Sequence, residues 1–121
     1  MPSLYEETYN PDGTLAAFTP LDGAPERVRK RIIEDMDSVY FPTNPIVPST
    51  EIVHDRVNVE LFRGCIRGGR FCQAGFVYRP VRMKQTDTLV CQARRALENS
   101  GYPEATLSSL STSDYKQLPE L

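Results

Sequence analysis

The chain reads as an α/β protein built on one β-α-β unit, preceded by a β-hairpin and an α-helix. Three observations predict this. The run Val57-Asn58-Val59-Glu60-Leu61-Phe62 has strand character and empties into a glycine-rich loop. Between Asp87 and Asn99, the residues Leu89, Val90, Ala93, Ala96 and Leu97 fall on one helical face, and Gly101 supplies a stop. A second strand-like run, Glu104 to Leu110, follows. A strand, a helix and a strand in that order predict a right-handed crossover with parallel pairing. A small α+β domain with antiparallel pairing is the alternative.

The hairpin is expected from residues 3 to 9 and 14 to 19, which flank Asn10-Pro11-Asp12-Gly13, four turn-forming residues in succession. A helix over about 25 to 39 is expected next. Pro25 suits a first helical turn, and Val28, Ile32, Ile33, Met36, Val39 and Tyr40 share one arc. Its Arg29-Lys30-Arg31 run reads as a solvated outer face. Pro42, Pro45 and Pro48 then impose an extended connector, because proline lacks an amide proton and biases its predecessor away from helix. The domain boundary is placed there, dividing residues 1-50 from residues 51-121.

Composition narrows the function classes. The chain has 121 residues, enough for one domain but not for a complete α/β barrel, which takes about 250. It contains no apolar run of about eighteen residues and no signal peptide, so a cytoplasmic protein is expected. Three cysteines without an export signal suit reduced thiols or metal ligands better than disulfides. The net charge of -2 argues against general nucleic-acid binding. Seven of the fourteen basic residues nevertheless fall between Arg56 and Lys84, against one acid, Glu60, and such a segment attracts a carboxylate or phosphate.

Candidate chemistry centres on residues 63 to 79, RGCIRGGRFCQAGFVYR, at the C-terminal end of the first strand of the unit. Glycine-rich turns there let the backbone approach a ligand closely. Cys65 and Cys72 share this loop with Arg67 and Arg70. Two thiolates make an incomplete metal site, since iron-sulfur cubes and structural zinc take three or four protein donors. His54, Cys65, Cys72 and Cys91 contain the atoms of a zinc site, but without the usual ligand spacing, and Cys91 falls on the outer helix face. The Arg-Gly-Gly-Arg segment could cradle phosphate, although no Walker or dinucleotide fingerprint accompanies it.

The segment CIRGGRFC resembles the signature of radical S-adenosylmethionine (SAM) enzymes, three cysteines spaced CxxxCxxC with an aromatic residue before the last. Cys65 matches the first cysteine, Phe71 the aromatic and Cys72 the third, while Gly69 stands at the second. The surroundings, NPIVPSTEIVHDRV, RGC-RG-RFCQAG-VYRPVR and SGYPEATLSSLSTSDY, resemble the radical SAM proteins fused to a cobalamin-binding-type domain, and PSLYEETYNPDG is similar to the segment joining their two domains. The resemblance covers nearly the whole chain. It implies a partial radical SAM (TIM-like) barrel whose loop binds a [4Fe-4S] cluster, with an open iron that chelates SAM and cleaves it reductively to a 5'-deoxyadenosyl radical. It further implies that Cys65 and Cys72 are cluster ligands, that Phe71 lies by the adenine, and that Ser111, Thr112, Ser113 and Asp114 help hold SAM.

Two departures set expectations for this chain. Glycine cannot ligate iron, so the loop offers two thiolates for three corners. The sequence stops just after the second strand, so the rest of the barrel and the cobalamin-type domain lie outside it, as in a fragment or truncated gene product. The rival reading is a non-catalytic remnant, an interaction module without a cluster. The second strand of a cut barrel has a free edge, and self-association through it is expected.

Overall fold

A computed structural model describes residues 2-121. The chain divides into two compact units, Met1–Ile32 and Ile33–Leu121.

In the first unit, β1 (Tyr5–Tyr9) and β2 (Leu15–Pro20) pair antiparallel with a register shift between Thr8 and Tyr9. The turn closes as expected from its residues. The Gly13 amide donates to the Asn10 carbonyl at 2.9 Å with φ at +81°, a conformation that favours glycine. Asp12 accepts from the backbone amide and hydroxyl of Thr14, which hold its carboxyl below the usual range. Tyr5 is the buried anchor, stacked 4.5 Å from the Phe18 ring and donating to the Pro25 carbonyl.

The helix expected over 25 to 39 is absent; the segment has no regular structure before a turn at 36–39. Val28, Ile32 and Ile33 remain 67%, 40% and 46% exposed. A helix this short is marginal in water without a packed apolar face. The three exposed residues are also β-branched, and Arg27, Arg29, Lys30 and Arg31 crowd cations into one turn. Met36 alone of the arc is fully buried.

The second unit carries the expected parallel strand pair with a helix between its strands. Its regular elements are β3 (Val57–Glu60), β4 (Phe62–Arg63), α1 (Gln73–Val77), β5 (Arg82–Met83), α2 (Thr86–Ser100) and β6 (Ala105–Ser108). β3 and β6 pair in parallel, Val57 with Ala105 through Glu60 with Ser108, which excludes the antiparallel alternative for these strands. The short β4 and β5 pair antiparallel.

α2 packs on β3 because the faces match. Val57 and Val59 are buried while Asn58 is exposed, and Leu89 and Ala96 present the buried side of the helix. Gly101 ends α2 in the left-handed conformation, its amide donating to the Leu97 carbonyl at 2.9 Å. Leu61, Phe62 and Tyr115 complete the core, with the Phe62 and Tyr115 rings near-parallel at 6.5 Å. The Tyr115 hydroxyl donates to the Lys84 carbonyl at 3.0 Å, so the phenol is buried without losing its hydrogen bond. No helix among the described residues is long and apolar enough to cross a membrane.

Candidate functional site at the C-terminal ends of the parallel strands

The chain leaves β3 at Glu60, and the Leu61 amide donates to the Ser108 carbonyl at the end of β6. Both strands therefore finish side by side, and the segments that follow them share one end of the sheet. α/β folds place ligands at such an end. A cavity of about 400 Å³ opens there, lined by Glu60, Phe62, Arg63, Gly64 and Tyr78 from one side and Ser108, Ser109 and Leu110 from the other. That volume suits a small molecule.

Its charged wall is an internal pair. The Arg63 guanidinium donates to both carboxylate oxygens of Glu60, at 2.7 and 3.0 Å. This two-point contact stabilises the protonated guanidinium further.

Gly64 makes the loop possible. With φ at +95°, it lies so close to the returning chain that a Cβ would sit 2.8 Å from the Pro80 carbonyl oxygen and 2.9 Å from that of Tyr78. The returning chain is held by Arg82, which donates to the carbonyls of Pro80, Tyr78 and Ile33 at 3.0 to 3.2 Å.

Beyond Gly64, Cys65 and Cys72 are both free and half-buried. The Arg67 amide donates to Cys65 Sγ at 3.4 Å, and the Cys72 amide donates to the Gly69 carbonyl at 3.0 Å, closing a turn. Cys72 directly precedes α1, a short helix that the glycine content of the loop conceals in the sequence. The Phe71 ring is 96% exposed. At Gly69 a side chain meets only ordinary contacts: a Cβ would lie 3.6 Å from the Phe71 ring and 3.7 Å from Cys72 Cβ.

Ser111 to Asp114 come to the same place from β6. Thr112–Asp114 forms a single 3-10 turn. Ser109 and Thr112 share a hydrogen bond at 3.0 Å, and Ser111 donates to Asp114 at 2.7 Å. Arg67 reaches across from the cysteine loop and grips both oxygens of Asp114, one of them at 2.9 Å. Arg67 and then Ser111 hold the Asp114 carboxyl below the usual carboxylate range. Ser113 is exposed.

The structure thus brings the cysteine loop and the Ser111 to Asp114 segment together through Arg67. Local sequence patterns do not reveal that link, because 47 positions separate its partners. Cys91 stands apart, exposed on α2 as its helical position predicts. Among the described residues no group of three or more His, Cys, Asp or Glu side chains is arranged to hold a metal ion.

No protein-family model matches the chain, and no solved structure matches it significantly. The whole chain is 26% identical to part of an uncharacterized protein of Methanocaldococcus jannaschii. It spans 26% of that relative's length.

Proposed function

We propose that residues 56-114 are the opening β-α-β unit of a radical SAM-type core whose cluster loop lacks one thiolate. The carrying observation is that Arg67 joins the Cys65 to Cys72 loop to Asp114 at the common end of β3 and β6. A loop that grips a cofactor and a polar segment that holds its amino acid end need this proximity. Parallel pairing of β3 with β6 and the exposed Phe71 ring beside Cys72 agree with the same reading. Phe71 would face an adenine, and Ser111, Thr112, Ser113 and Asp114 the amino acid portion of SAM.

The residues present do not fit a three-thiolate cube. Cys65 and Cys72 are two donors, Gly69 is none, and Cys91 lies on another element. The chain by itself is therefore read as a structural module derived from this class, without reductive SAM cleavage of its own.

Anaerobic reconstitution with iron and sulfide tests both parts. The wild-type chain should stay nearly colourless and SAM should remain intact. About four irons per chain would overturn the two-donor argument. Gly69→Cys should gain iron and the broad visible absorption of a cluster. If that variant folds and gains none, Gly69 does not occupy a ligand position and the class assignment fails.

A further inference from the structure

We propose that the cavity between residues 36-43 and α2 binds a small organic carboxylate, at a site separate from the cavity at the strand ends. The segment is fastened to the helix at two points. Asp37 Oδ1 accepts from the Gln85 amide at 2.8 Å at the N-terminal end of α2, and the Thr43 carbonyl accepts from Asn99 Nδ2 at 2.7 Å near its C-terminal end. Met36 anchors the start of the segment by full burial. Between the fastenings lies a cavity of about 430 Å³, with Phe41 and Thr43 on one wall and residues of α2 from Asp87 to Arg95 on the other.

Gln92 gives this cavity its chemistry. The residue is 9% exposed, and its Oε1 accepts from Lys84 Nζ at 2.9 Å. An ammonium group only donates, so it fixes which way the amide faces: the oxygen meets Lys84, and the Nε2 end is left to the cavity that Gln92 lines. That nitrogen has no hydrogen-bond partner among the described residues. A nearly buried donor without an acceptor carries a cost that a ligand oxygen removes. The charge behind it favours an anionic oxygen, because Lys84 is in no ion pair among the described residues and polarises the amide towards a stronger donor. Arg95 lines the same wall, exposed and likewise in no ion pair. One amide and one planar guanidinium match the two oxygens of a carboxylate, and the Phe41 ring offers its carbon body an apolar surface. Asp87 also lines the cavity, but it stands about 12 Å from Arg95 along the helix and so leaves the Arg95 end positive.

Titration of the 121-residue chain with benzoate and hexanoate, followed by NMR of its side-chain N–H groups, tests the proposal, with benzylamine and inorganic phosphate as controls. Both carboxylates should shift the Gln92 Nε2 protons and the Arg95 Nε proton saturably, and benzylamine should not. Benzoate should also slow alkylation of the Cys91 thiol, which lines the same cavity. Arg95→Gln, at an exposed position, should weaken benzoate binding about tenfold. Gln92→Glu keeps a partner for Lys84 and should abolish binding, because an acceptor and a negative charge then stand where the donor was. Carboxylates that give no saturable shift at Gln92, or that shift only the basic segment 56-84, overturn the proposal. So does benzoate binding that both variants leave unchanged, and phosphate that takes the site in place of benzoate overturns the ligand class.

Discussion

Arg67 holds Asp114 by both carboxylate oxygens across 47 residues of sequence, and this pair is the charged fastening between the cysteine loop and the segment after β6. Its partners are shared unequally, since Ser111 also donates to Asp114. Arg67→Ala should therefore raise the Asp114 carboxyl towards the ordinary aspartate range without bringing it fully there. A carboxyl carbon titration by NMR reads this directly. The lowered carboxyl contributes stability above the ordinary aspartate value near 3.8, and that contribution is lost as pH falls through the folded value. Acid denaturation of Arg67→Ala should consequently be less steep below that point, and an unchanged Asp114 titration would show that the pair does not persist in solution.

Two glycines of the loop should respond oppositely to a side chain. Gly64→Ala places a methyl against two carbonyl oxygens at a positive φ, and should cost roughly 2–4 kcal/mol in denaturant unfolding. Gly69→Cys adds its Cβ at ordinary contact distances and should change stability by less than about 1 kcal/mol. Equal costs at the two positions would contradict the path of the loop.

Tyr115 couples the end of the chain to the core through a ring and a hydroxyl that can be removed separately. Tyr115→Phe deletes the hydrogen bond to the Lys84 carbonyl and should cost about 1 kcal/mol. Tyr115→Ala also empties the space against Phe62 and should cost about 3–5 kcal/mol. Thermal or denaturant unfolding of the two variants separates the contributions.

What the sequence reveals and what it conceals divide along physical lines. Val57, Val59, Leu89, Ala96 and Gly101 announce their elements because alternation, helical spacing and a left-handed stop are local properties. The arc from Val28 to Tyr40 has helical spacing too, but spacing does not say whether a core receives it, and here Val28 and Tyr40 stay exposed. The two-residue strands β4 and β5 exist only because Phe62 meets Met83, a pairing no local pattern encodes. Of the candidate site, Cys65 and Cys72 stand out by their place on one glycine-rich loop, and Ser111 to Asp114 through the family resemblance alone. The cavity wall of Glu60 and Arg63, and the reach of Arg67, depend on where the strands end in space.

Lys84 offers the last test, because its position penalises its own charge. The side chain is 2% exposed, donates to Gln92 Oε1 at 2.9 Å, and lies 5.2 Å from the centre of the Phe41 ring. Burial lowers its pKa from the ordinary 10.5. Glu60 and Asp37 oppose that shift, and Arg63 adds to it. The folded chain thus releases this proton more readily than the unfolded chain. The penalty is complete below the folded pKa and fades as pH rises from there to 10.5, so stability should gain over that alkaline window. Lys84→Met keeps the length of the side chain and removes the titration. The difference in unfolding free energy between wild type and variant should shift in favour of wild type as pH rises through the window, cancelling the contributions of tyrosines and cysteines common to both. A difference flat with pH would mean that the ammonium group reaches water in solution.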